Sequence, residues 1–196
     1  MTPSLSKNTF LVKEHIGMFK AANNFDIYDP ETGTIVAQCR EPKLGFFTRM
    51  LRFDKTYKKM TPFNIEVRTP GGELYIRVQR GVSFFRSQVK VYDGEEREIG
   101  GFRQKLFTIG GSFDVLNKEG RAVCTLKGKW TGWDFRFMYG KEELAHVTKK
   151  WTGLGKEMFT SADNYMLNIA EGVTPENPIR KLIFAAVLCI DMVLKE

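Results

Sequence analysis

The chain has 196 residues, 42% apolar and 13% aromatic with 16 Phe, and a formal charge of +7 (pI about 9.3). These totals exclude a disordered polymer and suit a single domain over residues 1–196, rich in β-formers, whose surface favours anionic partners. Cys39, Cys124 and Cys189 lie far apart, each among apolar residues, so they read as reduced, buried small hydrophobes and not as a metal set.

The first residues, MTPSLSKNTF, hold no apolar core of a secretory signal and no glycine at position 2 for myristoylation. The expected location is cytoplasmic, peripheral to a membrane at most. From Thr9 to Ile169 short β-rich runs alternate with turn signals. Phe25–Gly33 leads into Thr34–Arg40, Ile65–Gly72 into Glu73–Gln79, and Val89–Gly94 into Glu95–Arg103. Phe113–Gly120 then leads into Arg121–Lys127, and Phe135–Gly140 into Lys141–Thr148. Asp-Gly, Pro-Gly-Gly and Asn-Lys-Glu-Gly supply the positive φ that tight hairpins need. The spacing predicts an internal repeat of one hairpin per 20 to 25 residues.

Arg40–Met60 breaks the pattern. Arg49, Arg52, Lys55, Lys58 and Lys59 are interleaved with Phe46, Phe47 and other apolar residues. Cations beside rings suit an anionic lipid surface, the cations for phosphates and Phe46 and Phe47 for insertion. The same residues also fit a long inter-strand connection with solvated lysines.

Leu182–Ile190 is apolar without a break, and Asn177-Pro178 gives a cap and a first-turn proline. A helix apolar on every side is buried on every side. Leu182–Leu194 would span roughly 20 Å, short of the ~30 Å of a bilayer core, so no transmembrane span is expected. About ten to twelve antiparallel strands and one such helix predict a closed barrel with the helix filling its lumen.

Lys149–Gly153, Glu157–Thr160, Ala162–Tyr165 and the apolar run from Leu182 form, in order, a series that resembles the phospholipid scramblase family. The signature positions are Lys150, Trp151, Thr152, Gly153, Phe159, Thr160, Asp163 and Asn164. That family is similar in fold to tubby and LURP-one-related proteins, a mainly β, twelve-stranded barrel around a central helix. The resemblance implies binding of anionic phospholipid or phosphoinositide headgroups, with translocation between leaflets as a conditional extension. The palmitoylated cysteine cluster of eukaryotic members has no counterpart in Gly81–Gly101. The family's proposed calcium loop maps onto Ser161–Gly172, where only Asp163 and Glu171 are acidic, so no cofactor and no calcium are expected. Asp163 and Asn164 are expected instead to bond backbone amides in a sharp turn.

Lys129-Trp-Thr-Gly132 returns as Lys150-Trp-Thr-Gly153. Trp130, Trp133 and Trp151 are expected to pack between strands, or else to stand at the barrel rim. Lys127, Lys129, Lys149, Lys150 and Lys156, with Arg77, Arg80, Arg86, Arg103 and Lys105, read as a positive barrel wall, either solvated or an anion-binding groove. No catalytic constellation is visible. His146 lies on a strand, no nucleophile stands at elbow spacing, and the Gly-Gly pairs open no helix. The alternative to lipid binding is a regulatory module of the same fold with a protein partner. Nucleic acid is less expected, since no recognition helix is visible.

Overall fold

The computed structural model describes residues 3–14, 24–42, 45, 61–81, 88–104, 112–129, 133–149 and 164–190. Twelve strands run β1 Thr9–Glu14, β2 Phe25–Tyr28, β3 Ile35–Arg40, β4 Phe63–Arg68, β5 Leu74–Arg80 and β6 Gln88–Asp93. They continue as β7 Glu98–Gln104, β8 Ser112–Asn117, β9 Ala122–Lys129, β10 Asp134–Tyr139, β11 Glu142–Thr148 and β12 Asn164–Ile169. Each pairs antiparallel with its neighbours in sequence, and β1 pairs with β12 (Thr9↔Asn168), closing the cylinder. Closure leaves no sheet edge unpaired.

The repeat is stricter than the spacing of turns suggested. The hairpin turns at Thr69, Asp93 and Asn117 each donate a backbone N–H to the carbonyl four residues on (Glu73, Arg97, Arg121). Each has one positive φ, at Gly72 (87°), Glu96 (62°) and Gly120 (75°), and each follows a register shift, after Val67, Val91 and Val115. One tight turn with its bulge therefore recurs every 24 residues, with Glu96 standing where the other two have glycine.

Strand alternation sends one set of side chains inward. Ile65 and Val67, Ile76 and Val78, Val89 and Val91, Phe135 and Phe137 are all buried, as are Phe10 and Val12. The lumen they line is filled by α1, Pro178–Cys189. Asn177 caps it, its Oδ1 accepting from the Ile179 N–H at 3.1 Å, and Pro178 occupies the first turn. Leu182 to Ile190 are buried without exception, and Phe184 meets Phe10 and Tyr75 edge-on, with ring centroids 4.9 and 6.0 Å away. The plugged barrel read from the sequence is the fold.

Arg180 is fully buried on the first turn of this apolar helix. Its guanidinium donates to the Leu5 carbonyl (3.3 Å), the Val173 carbonyl and Asn8 Oδ1 (both 3.0 Å), and the Lys7 carbonyl. Burial pushes its pKa down. Its bonds run to neutral oxygens, so it fastens the helix entry to the segment before β1 without a carboxylate.

Candidate functional site

A meander of antiparallel strands puts alternate connections at opposite mouths. The turns β2–β3, β4–β5, β6–β7, β8–β9 and β10–β11 share one mouth with the Leu5–Asn8 segment and Val173. The connections 15–24, 41–62, 81–87, 105–111, 130–133 and 149–163 all join strand ends at the other. Helix α1 enters at the tight-turn mouth, where Arg180 is fastened. Its last turns point to the long-connection mouth, where Ala186, Cys189 and Ile190 border an apolar void shared with Val89, Phe102, Phe113 and Leu126.

In sequence, the two sets of connections differ in charge. The six that join strand ends at the second mouth carry twelve Lys or Arg against four Asp or Glu, most of them outside the described residues. The tight turns, with residues 1–8 and 170–177, hold five against eight. Described side chains follow the same division. On the outer surface near the long-connection mouth, Arg103 of β7 and Lys127 of β9 are exposed, with no partner among the described residues. Lys13 sits over the Tyr28 ring (4.9 Å) and Arg40 pairs with Asp26 (2.6 Å). At the opposite mouth Asp29 accepts from Lys7 (2.7 Å), from Thr32 and from the Glu31 N–H. The Lys7 bond leads the causes that hold its carboxyl down at about 2. Asp93 would rise on burial, yet bonds from Arg97 and Glu95 keep it below the usual range.

The stretches after β9 and β11, which carry the Lys-Trp-Thr-Gly repeats, leave strands on either side of β10. Asp134 lies opposite both Lys129 and Thr148. Between them Trp133 adopts φ 47°, a left-handed conformation that costs a bulky residue about 1–2 kcal/mol. It is held there by the Lys149 N–H on its carbonyl (3.3 Å), by stacking on Tyr165 (centroids 6.0 Å, 21°) and by an edge contact with Phe135 (6.1 Å). The Lys149 amine lies 3.8 Å from the indole centroid. Trp133 is therefore both packed and at the rim.

The positive wall is not uniform. Arg80 points into the barrel and is buried, donating to the Thr61 carbonyl (2.7 Å) and lying over the Phe63 ring, so its place on the wall is corrected. The cause is strand alternation: Ile76, Val78 and Arg80 share the inward face. Arg77 does face outward but is neutralised by Glu66 (3.3 Å) and Glu96 (2.5 Å). Arg86, Lys105, Lys150 and Lys156 lie outside the described residues, as does the side chain of Lys129.

So do the lipid candidates Phe46, Phe47, Arg49, Arg52, Lys55, Lys58 and Lys59, and the signature positions Lys150, Trp151, Thr152, Gly153, Phe159, Thr160 and Asp163. Asn164 is described: it is buried at the start of β12, opposite Lys13, and the residues of the expected turn before it lie outside the described residues. Glu171 is exposed beyond the other end of that strand. It lies about 20 Å of strand from Asn164, and Asp163 lies outside the described residues. Among the described residues no three His, Cys, Asp or Glu side chains are grouped to hold a metal.

His146 is a satisfied strand histidine, its Nε2 2.8 Å from Asp134 Oδ1 on the outer wall. The three cysteines are buried as expected. Burial pushes the thiols of Cys124 and Cys189 up to about 12 and that of Cys39 further still. Among the described residues no helix is long and apolar enough to cross a membrane.

A protein from Arabidopsis thaliana with a known X-ray structure shares this fold at 14% identity and a TM-score of 0.51, over 93% of this chain and 90% of its own. A search of curated proteins finds no match. The Scramblase family model matches residues 7–196, nearly the whole chain, and the protein belongs to the Scramblase family.

Proposed function

We propose that the protein binds anionic phospholipid surfaces through its long-connection mouth. The observation that carries this reading is the opposed charge, in sequence, of the connections that join strand ends at the two mouths, twelve cations against four acids in one set and five against eight in the other with residues 1–8 and 170–177. Such a distribution turns the barrel in the field of an anionic leaflet so that the cationic mouth leads, each surface-proximal Lys or Arg contributing about 1 kcal/mol. The aromatic residues of the same connections, Phe46 and Phe47 among them, supply apolar surface for the acyl boundary. Family membership points the same way.

Movement of lipid between leaflets is a separate step. The helix fills the lumen, so a lipid headgroup has no aqueous path through the barrel. Translocation by this chain would proceed by disturbing the bilayer at the bound mouth. The proposed role involves no bond-making chemistry.

Flotation of the purified protein with vesicles tests the reading. Binding is expected to rise with the phosphatidylserine fraction and to fall steeply with salt. Reversing Arg103→Glu and Lys127→Glu together is expected to weaken it at least tenfold, whereas Lys118→Glu with Arg121→Glu at the far mouth leaves it unchanged. Equal binding to neutral vesicles, or equal loss from both pairs, would overturn the proposal.

A further inference from the structure

We infer that Arg103, Lys127 and Ser112 form one site on the outer wall at the long-connection mouth, and that this site takes a phosphate monoester. The inference rests on the membrane-binding reading above for a lipid as the source of the phosphate, and it names the headgroup chemistry and the residues that hold it. Three observations carry it.

The first is pairing. Along the outer wall, the strand cations Arg40, Arg68, Arg77, Lys90 and Arg136 each have a carboxylate oxygen within 3.3 Å. Lys13 has no acid but lies over the Tyr28 ring. Arg103 and Lys127 are both exposed, and among the described residues neither has an acid or a ring. For Arg103 an acid is close at hand, since Asp114 lies directly opposite in the register. The two form no ion pair, and Asp114 accepts instead from Thr125 Oγ1 (3.2 Å). The wall thus neutralises its other strand arginines and leaves two cations uncompensated, on either side of β8.

The second is register. Arg103 stands next to the last residue of β7, Ser112 opens β8, and Lys127 lies near the end of β9. Ser112 is opposite Lys127, which sets their Cβ atoms about 5 Å apart. Ser112 is also the diagonal neighbour of Arg103, about 7–8 Å away and within reach of a long side chain. With strands spaced about 4.8 Å apart, both cations converge on the space above Ser112. The inward neighbours Phe102, Phe113 and Leu126 are buried in the core, so all three side chains spring from a fixed wall.

The third is the serine itself. Phe113 and Val115 point inward, so Ser112 points outward, and it is 7% exposed, low between two longer side chains. Its hydroxyl has no hydrogen-bond partner among the described residues. A guanidinium fork, an ammonium and a hydroxyl together make a donor set for several oxygens of one anion. A phosphate monoester offers three free oxygens and a charge of about −1.5 to −2 at neutral pH, which matches two unpaired cations. A diester, such as the phosphate of phosphatidylserine, offers two free oxygens and a single charge.

The test uses the full chain and two sets of phosphatidylcholine vesicles, one doped with phosphatidic acid and one with phosphatidylserine, matched in surface charge by electrophoretic mobility. Flotation is expected to show about five- to tenfold tighter binding to the phosphatidic acid vesicles. Ser112→Ala and, separately, Lys127→Gln are expected to reduce that ratio to about twofold or less, whereas Lys118→Gln at the far mouth keeps it. Glycerol 3-phosphate, a soluble monoester, is expected at millimolar concentration to bring binding to phosphatidic acid vesicles down to the phosphatidylserine level. Equal binding to the two charge-matched sets, or a preference that both variants retain, overturns the site and leaves the membrane-binding reading standing. If the chain floats with neither set but binds glycerol 3-phosphate in calorimetry, and Ser112→Ala abolishes that binding, the phosphate site stands and the membrane reading falls. If it binds neither vesicles nor glycerol 3-phosphate, both fall. Lys127→Gln alters an exposed side chain, so it decides the matter should Ser112→Ala fail to fold. Unchanged melting temperatures separate lost contact from lost structure.

Discussion

Replacing Arg180 by methionine tests the attachment of the helix directly. Methionine keeps most of the apolar volume and removes every donor. The carbonyls of Leu5, Lys7 and Val173 and the Asn8 side-chain oxygen then lose a charged partner in a region closed to water. An orphaned buried acceptor costs about 1–3 kcal/mol, and the sum is offset in part because a desolvated guanidinium is no longer buried. The expected net loss is about 3–5 kcal/mol, a large share of the 5–15 kcal/mol, roughly, that holds a domain together. At about 2–4 °C per kcal/mol for a chain of this size, the melting temperature is expected to fall by about 6–20 °C. Urea denaturation followed by circular dichroism gives the same quantity as a shifted midpoint. Deleting residues 2–8 removes the Leu5, Lys7 and Asn8 acceptors from the other side and leaves only that of Val173, so its effect and that of Arg180→Met are expected to be strongly sub-additive. A loss below about 1 kcal/mol, or additivity within about 0.5 kcal/mol, would refute the role given to Arg180.

Three further outcomes are expected. Asn177→Ala removes the acceptor for the Ile179 N–H and should cost about 1 kcal/mol in urea denaturation without altering vesicle binding. Gly101→Ala on β7 should destabilise by about 1–3 kcal/mol or prevent folding, because a Cβ there overlaps the Val89 carbonyl oxygen on the paired strand; wild-type stability in this variant would contradict the described β6–β7 packing. The depressed Asp29 carboxyl contributes stability that is complete above its ordinary pKa of 3.8 and lost as pH falls through about 2, so urea midpoints should decline across that interval. Asp29→Asn should flatten that part of the profile, and an unchanged acid limb would show that the Lys7 contact is not formed in solution.

The barrel was legible because its signals are local and repeated. Gly72 and Gly120 mark turns that only a positive φ allows, the alternation Phe63, Ile65, Val67 marks a face, and Leu182–Ile190 has no polar side to leave exposed. The buried arginines were less so. Arg80 continues the inward series Ile76, Val78, and counting by twos places it inside, but its charge argued for the wall. Arg180 carries no such mark, since the Leu5 and Lys7 carbonyls that hold it lie more than 170 residues away in sequence. The charge asymmetry of the mouths was available once alternate connections are assigned to opposite ends, yet totals over the chain conceal it. Trp133 was expected either packed or at the rim, and its positive φ, which makes it both, has no signature in residue types. Asn164 begins a strand whose partner residue, Lys13, is 151 positions away, a pairing that residue types alone do not mark.

The pairing of Thr9 with Asn168 also governs how the molecule is made. The seam joins the earliest strand to the latest, and the plug emerges later still, so vectorial synthesis on a ribosome leaves eleven strands waiting with two open borders and a hollow centre. Closure waits for the twelfth strand, and the lumen stays hollow until the helix that follows it is made.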